Sequence, residues 1–340
     1  EIALLEREIN HNIQKRQKEL ELTIALTNYC NFSCVYCYQN KNEKLMTTEV
    51  ANMIIEKIDR ILNDNIFEGI NIHYFGGEPL LNIPVLIYLD ENIKKITDKI
   101  GIVYKAFLTT NGSMLSKELL QKVKFSSIQL TFDGLEKTHD RLRVSDHFHF
   151  KEEIELIENI MNFSQAKVLL RTNICKENKD EIIALHKYIF EKFGNERIEI
   201  NPNRTIKYHQ DDSFEMLSVQ EYAEVAYQIK LLWSEQKGKF ELPVPRSTPC
   251  KFPYGNAYAI SPEGYCTFCS GSMDQEKKYF FDVDIENKKM FSVRKECKKC
   301  NILPLCLGGC IIQYNLRAGA CTYEKYELKN ILISYIKHIS

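Results

Sequence analysis

Twelve cysteines in a chain of 340 residues, and the way they are grouped, constrain this protein more than any other feature. Three fall within Cys30 to Cys37, eight within Cys250 to Cys321, and Cys175 stands alone. The compartment decides what they do. No apolar run reaches the roughly 18 residues that cross a bilayer, and the segment Glu1 to Glu8 lacks the basic-then-apolar pattern of a secretory signal. The expected location is therefore cytoplasmic, where thiols stay reduced, so metal or cluster ligation is favoured over disulfides. Lysine and arginine number 45 against 46 aspartates and glutamates, a net charge of −1. That balance offers no basic excess for nucleic acid, and neither a nucleic-acid nor a membrane partner is expected. The first residue is Glu1, so an upstream segment can precede it.

Ahead of the second cysteine group, short apolar runs alternate with helical spacing. Strands are expected at Leu22 to Thr27, Ile70 to Phe75, Ile102 to Leu108, Ser127 to Phe132, Lys167 to Thr172 and Arg197 to Ile200. Between them, runs such as Val50, Ile54, Ile58, Ile61 and Leu62, or Ile154, Ile157 and Met161, follow the period of an amphipathic helix. Repeated strand–helix units predict a parallel α/β sheet of right-handed βαβ connections, of the kind that can curl into an open barrel, with ligands at the carboxyl ends of the strands. After Asn201 a polar stretch gives way to one helix around Val219 to Trp233. The run Leu242-Pro243-Val244-Pro245 reads as a linker, and the segment from Cys250 onward as a small domain ordered by metal rather than by a large core. Apolar residues at 328, 331, 332, 335, 336 and 339 predict a final packing helix.

The first cysteine group is Cys30-Asn31-Phe32-Ser33-Cys34-Val35-Tyr36-Cys37, directly after the first expected strand. Zinc is one reading of such spacing, but a structural zinc site takes four ligands, and no fourth cysteine or histidine lies near this loop. Three thiolates suit a four-iron cluster with one iron open to a small chelating ligand. The pattern CX3CX2C with an aromatic at Tyr36 resembles the signature of the radical S-adenosylmethionine (SAM) superfamily. That resemblance implies a partial (β/α)6 TIM-like barrel, a [4Fe-4S] cluster on Cys30, Cys34 and Cys37, and hydrogen abstraction by a 5'-deoxyadenosyl radical. Phe75-Gly76-Gly77-Glu78-Pro79 after the second strand resembles the family's loop for the SAM amino group, with Gly76, Gly77 and Glu78 in its places. The glycines would let the backbone approach the ligand closely. Thr131 and Asp133, and Arg171 and Asn173, resemble the ribose and carboxylate contacts, although a strand-end Asp-Gly is also a common turn and a strand arginine a common ion-pair residue. His139-Asp140-Arg141-Leu142-Arg143 resembles a stretch of many relatives, read either as a substrate contact or as helix capping.

The second group runs Cys250, then Gly264, Cys269, Cys297-X2-Cys300-X5-Cys306-X3-Cys310 and Cys321. This resembles the SPASM extension carried by one branch of the superfamily. The resemblance implies two auxiliary [4Fe-4S] clusters, three clusters in all, with Cys297, Cys300, Cys306 and Cys321 on one and Cys250, Cys269 and Cys310 on the other. The latter set is one thiolate short. Cys266 is a spare candidate, although alternation along a strand from Tyr265 to Cys269 would turn it away from Cys269. Cys175 reads as a buried small residue. The expected divisions are an N-terminal extension at 1–21, a radical SAM core at 22–205, a bridging region at 206–248, a SPASM domain at 249–327 and a C-terminal helix at 328–340.

Members of this branch act mostly on ribosomally made peptides, so the resemblance implies a maturase of a precursor peptide. The expected reaction is a thioether crosslink from a substrate cysteine, with carbon–carbon crosslinking as the alternative. An anaerobic sulfatase-maturating activity, forming formylglycine, loses ground because Ser270 stands where those enzymes carry an aspartate. A zinc-stabilised binding protein or an electron carrier is the reading from another class. A reductant such as flavodoxin or ferredoxin is the expected redox partner. Only about twenty residues precede the first strand in this sequence. A leader peptide would then be read by the core surface or by a module upstream.

Overall fold

The computed structural model describes residues 1–64, 67–194, 197–207, 213–238, 240, 242–254, 256–267, 269, 278–283, 290–310 and 321–339, the side chains of 253, 338 and 339 aside. Six strand–helix units form its body. The strands are β1 (Glu19–Ala25), β2 (Gly69–Phe75), β3 (Val103–Thr109), β4 (Phe125–Thr131), β5 (Lys167–Ile174) and β6 (Ile198–Arg204). They pair in parallel and in sequence order, the arrangement of a radical SAM-type partial barrel. Each expected strand is present, displaced by a few residues. β6 runs on through Pro202 to Arg204, past its expected end, because it is an edge strand and proline's missing N–H costs no ladder bond there.

Alternation along the strands separates two faces. Leu20, Leu22 and Ile24 on β1, Ile70, Ile72 and Tyr74 on β2, and Ile128 and Leu130 on β4 are buried in the main core. There they meet Ala51, Ile54 and Ile58 of α2 (Thr48–Asp64), Leu86, Leu89 and Ile93 of α3 (Ile83–Ile100), and Ile157 and Ile160 of α6 (Phe150–Phe163). The opposite face carries polar residues: Thr23, Asn71, His73, Thr109, Gln129, Thr131, Arg171 and Asn173. A sheet with helices on one side and a polar concave side positions ligand groups inward.

The sheet does not stop where a separate cysteine domain was expected to begin. β7 (Ala257–Ile260) pairs in parallel with β1, Glu21 opposite Ala257, and leads into antiparallel β8 (Tyr265–Thr267) and β9 (Lys278–Tyr279). Among the described residues the sheet thus has nine strands, with β6 and β9 at its edges. Tyr258, Ile260, Cys266 and Phe280 join the main core, so this hairpin is ordered by apolar burial, contrary to the expectation of order from metal alone. The N-terminal residues, left without an element by the sequence reading, form α1 (Ile2–Arg16), whose Ile9 and Ile13 pack on Phe291, Val293, Leu303 and Leu307. Its apolar stripe is narrow and its surface mostly charged, so only the partner reveals the buried side. Helix α8 (Val219–Lys237) starts at a capping box, Ser218 and Glu221 each accepting from the other's backbone N–H, and stops at Gly238 in the left-handed region. The final helix, Glu324–Ile339, begins a turn earlier than expected. Ile331 is buried, but Leu332 and Ile336 of the expected stripe stay exposed.

His186 of α7 (Ile182–Phe193) fixes a polar point inside this core. Its Nδ1 accepts from Trp233 Nε1 at 3.1 Å, so the ring proton sits on Nε2, 3.2 Å from Thr172 Oγ1. Burial holds the imidazole far below its ordinary value of 6.5, at about 3. The unfolded chain therefore protonates first, and this contribution to stability is complete above pH 6.5 and is lost as the pH falls toward 3. At roughly 1.4 kcal/mol per pH unit, His186 should cost about 2 kcal/mol between pH ~7 and pH ~5. Denaturant unfolding at the two pH values checks this, and His186→Gln should flatten the dependence.

Candidate active site at the carboxyl ends of the strands

β1 and β2 end in register, Ala25 opposite Phe75, so the cysteine loop and the glycine loop leave the sheet side by side. They then bond to each other: Gly77 N donates to Thr27 O at 2.8 Å and Glu78 N to Tyr29 O at 2.9 Å. Gln39 Nε2, beyond the cysteines, donates to Gly76 O at 2.9 Å. Gly76 sits at φ 142°, a conformation that favours glycine, and a Cβ on Gly77 would overlap the carbonyl of Tyr29. The close approach that Gly77 allows is thus first of all between the two loops.

The cysteine loop is stitched to every neighbouring strand end. Cys37 N donates to Cys34 O at 3.1 Å, and Phe32 N reaches Cys30 Sγ at 3.4 Å. Asn111, after β3, holds Asn31 Oδ1 at 2.8 Å and approaches Cys30 Sγ at 3.9 Å. The Lys41 ammonium donates to Phe32 O. Tyr36 packs against Leu142, Cys175 and Phe214, and its hydroxyl donates to Asp133 Oδ2. Asp133 Oδ1 accepts from Asn173 N at 2.6 Å, and Asn178 Nδ2 caps Asp133 O and Asn173 O at 2.8 and 2.9 Å. One buried carboxylate after β4 thereby joins the signature tyrosine to β5.

Glu78 is a second such brace. It is fully buried, and its carboxylate accepts from Leu80 N (3.0 Å), Thr110 Oγ1 (2.6 Å) and Asn111 N (2.6 Å). Those oxygens serve the strand ends of β2 and β3. Arg171 and Asn173 stand two apart on the polar face, Arg171 Nε donating to Asn173 Oδ1 at 2.8 Å, and Thr131 pairs across from Arg171. Burial pulls the Arg171 guanidinium below its ordinary value. His139 and Arg143 of the expected motif are buried, at 2% and 5% exposure, and the stretch does cap helices: Arg143 closes the helix Glu136–Leu142 with its backbone N–H on His139 O at 2.8 Å, and Asp140 Oδ1 accepts from Phe150 N at 2.8 Å.

The cysteines are chemically poised for a cationic group. Burial raises Cys30 and pushes Cys34 up to about 11, with each thiolate opposing its neighbours and Arg143 pulling Cys34 back. Thiols so raised ionise when a metal group supplies positive charge. Among the described residues no three His, Cys, Asp or Glu side chains converge on a single-ion site. A four-iron cluster would take Cys30, Cys34 and Cys37 on three of its irons and leave the fourth without a protein thiolate.

In the second region the cysteines approach in pairs. Cys250 and Cys310, both exposed, lie within electrostatic reach of each other, as do Cys306 and Cys321. Cys297 and Cys300 share one turn, Cys300 N donating to Cys297 O at 3.0 Å. β8 ends at Thr267, short of Cys269, and Cys266 is buried in the main core beside Tyr258, which accounts for its direction by packing rather than by alternation. Cys175 is fully buried, its thiol pushed up to about 12 by burial. Ser270 lies outside the described residues. Sequence reasoning missed Asn111 and Asn178; the polar Thr110-Asn111 pair before Gly112, at a strand end like the others, was the available signal.

Residues 24–189 match the radical SAM superfamily model. A radical SAM cyclopropyl synthase, TigE, of Paramaledivibacter caminithermalis is 24% identical over 96% of this chain and 76% of its own length. An uncharacterised protein of Methanocaldococcus jannaschii is 34% identical, but the matched stretch spans 34% of this chain and 39% of that protein. A GTP 3',8-cyclase of Helicobacter pylori is 31% identical over 53% of each chain. Among solved structures, anSMEcpe with bound AdoMet superposes with a TM-score of 0.73 at 19% identity, covering 94% of this chain and 98% of that one. Streptococcus suis SuiB bound to its precursor peptide SuiA gives 0.62 at 17% identity over 91% and 76%. At these identities the likeness establishes the fold.

Because the Gly77 Cα faces Tyr29, Gly77→Ala should lower the unfolding temperature of the metal-free protein and loosen the cysteine loop. Calorimetry and hydrogen exchange at residues 27–37 check this, against a direct ligand contact that would leave the metal-free protein unchanged.

Proposed function

We propose that this chain, whose residues 24–189 match the radical SAM superfamily model, is a maturase that modifies a ribosomally made peptide at the mouth of the barrel. The observation that carries the reading is the convergence of the Cys30, Cys34 and Cys37 loop, the Gly76-Gly77 turn and the Asp133, Arg171 and Asn173 strand ends on one rim of the sheet. When bound, a reduced [4Fe-4S] cluster and SAM supply the 5'-deoxyadenosyl radical that removes a hydrogen atom from substrate. Cys30, Cys34 and Cys37 hold that cluster, and Tyr36 keeps their loop against Asp133. Gly76 and Gly77 present backbone to the SAM amino group, while Glu78 acts by holding that backbone. Thr131 and Asp133 would serve the ribose, and Arg171 and Asn173 the carboxylate.

In this reading Cys297, Cys300, Cys306 and Cys321 hold one auxiliary cluster and Cys250, Cys269 and Cys310 another. The place of Cys266 in the core supports leaving that second group one thiolate short. Such a site accommodates a substrate thiolate, which favours thioether formation. For that bond one hydrogen of the peptide would leave as an atom, the thiol proton would pass to solvent, and an auxiliary cluster would supply the acceptor for the remaining electron. A flavodoxin- or ferredoxin-like protein supplies the low-potential electron. The nearly full-length similarity to a cyclopropyl synthase favours a second reading, bond formation between two substrate carbons.

Two measurements test these proposals. The Cys30, Cys34 and Cys37 triple alanine variant should lose about four irons per chain and all 5'-deoxyadenosine formation, with the remaining iron retained. Undiminished 5'-deoxyadenosine would end the radical reading. Anaerobic turnover of peptides encoded beside the gene, followed by tandem mass spectrometry, should give a product lighter by two hydrogens. A thioether blocks alkylation of the peptide cysteine by iodoacetamide; a carbon–carbon bond leaves that thiol reactive.

A further inference from the structure

Residues 142–144 run alongside the cysteine loop. Ser33 N donates to Val144 O at 2.8 Å and Val35 N to Leu142 O at 3.0 Å, which sets Arg143 opposite Cys34. The Arg143 side chain is 5% exposed, its guanidinium stands 5.3 Å from the centre of the Phe32 ring, and its Nε is buried without a hydrogen-bond partner. Cys34, Glu153, Tyr36 and Asp133 all lie within its electrostatic reach. Glu153, fully buried, stands behind it: His139 Nε2 is 3.1 Å from Glu153 Oε2, yet neither carboxylate oxygen receives an aligned hydrogen bond. A buried cation without its full set of hydrogen bonds costs several kcal/mol, on the order of the penalty for an unpaired buried ion, and persists where negative charge faces it.

We propose that Arg143 is a positioning residue that places a permanent positive charge against Cys34 and so raises the reduction potential of the cluster held by Cys30, Cys34 and Cys37. The inference rests on the radical-cluster reading above. Reduction adds one negative charge to a group already carrying three thiolates. A fixed cation beside it favours the reduced form more than the oxidised one, and the low local dielectric enlarges the difference. Arginine suits the place because a guanidinium keeps its proton when buried, whereas a lysine there can lose it. Glu153 and His139 anchor the network from the helix side, since His139 Nδ1 also accepts from Asp133 N at 3.4 Å.

The test is a redox titration of the reconstituted full chain, without SAM, followed by electron paramagnetic resonance. The radical-cluster signal is identified as the one missing from the Cys30, Cys34 and Cys37 triple variant. Arg143→Met should shift that signal to more negative potential, leaving roughly one-tenth or less of the wild-type ratio of reduced to oxidised cluster at a fixed solution potential, the effect of one charge at short range. Arg143→Lys should lie nearer wild type, and the auxiliary signals should not move. An unchanged potential in Arg143→Met with full iron content overturns the proposal, and if SAM binding weakens at the same time the guanidinium serves the SAM carboxylate. Loss of the signal in both folded variants also overturns it, making Arg143 a brace of the loop. A triple variant that keeps all its iron would instead remove the cluster reading itself.

Discussion

The buried carboxylate of Asp133 is the point on which the site depends. It takes the Tyr36 hydroxyl on one oxygen and the Asn173 N–H on the other, so a loop after β1 and a strand four positions along the sheet share one acceptor. Burial raises the carboxyl, and Arg143, the Tyr36 hydroxyl and the Asn173 amide bring it back down. Hydrogen bonds to a charged acceptor are worth roughly 1.5–3 kcal/mol each, and removing one partner leaves the other buried and unpaired. Glu78 repeats the device two strands earlier, binding β2 to β3. The two carboxylates tie the ends of β1 to β5 into one rim, and a group held on that rim inherits its geometry from hydrogen bonds rather than from loop conformation.

The second cysteine region is tied to the same frame by continuous structure. β7 extends the sheet from β1, the strand that also ends in the signature loop, so both cysteine groups issue from neighbouring strands. Lys251 Nζ, just after Cys250, reaches Glu21 Oε2 of β1 at 2.5 Å, and Arg16 Nη2 meets the other oxygen at 3.2 Å. From the other side, α1 covers Leu303 and Leu307, which flank Cys306. The described part of the later region is thus anchored to the barrel through β7 and to α1 through Leu303 and Leu307.

Much of this was legible in the sequence. The six strand–helix units follow from apolar periodicity, and the cysteine spacing with Tyr36 and the Gly-Gly turn points to a cluster loop, because both signals are local and need only neighbours in the chain. The sequence alone also placed Asp133, Arg171 and Asn173 at strand ends. It did not reveal what their side chains do. That Glu78 spends its oxygens on Thr110 and Asn111, that Gly77 is needed by Tyr29, that Cys266 belongs to the core and that Arg143 lies opposite Cys34 are all contacts between residues distant in sequence. Nor did it give α1, whose buried side is defined only by Phe291, Val293, Leu303 and Leu307. Periodicity and spacing record the local backbone. Which buried polar group meets which partner is set by strand register and helix packing, and only the assembled sheet decides those.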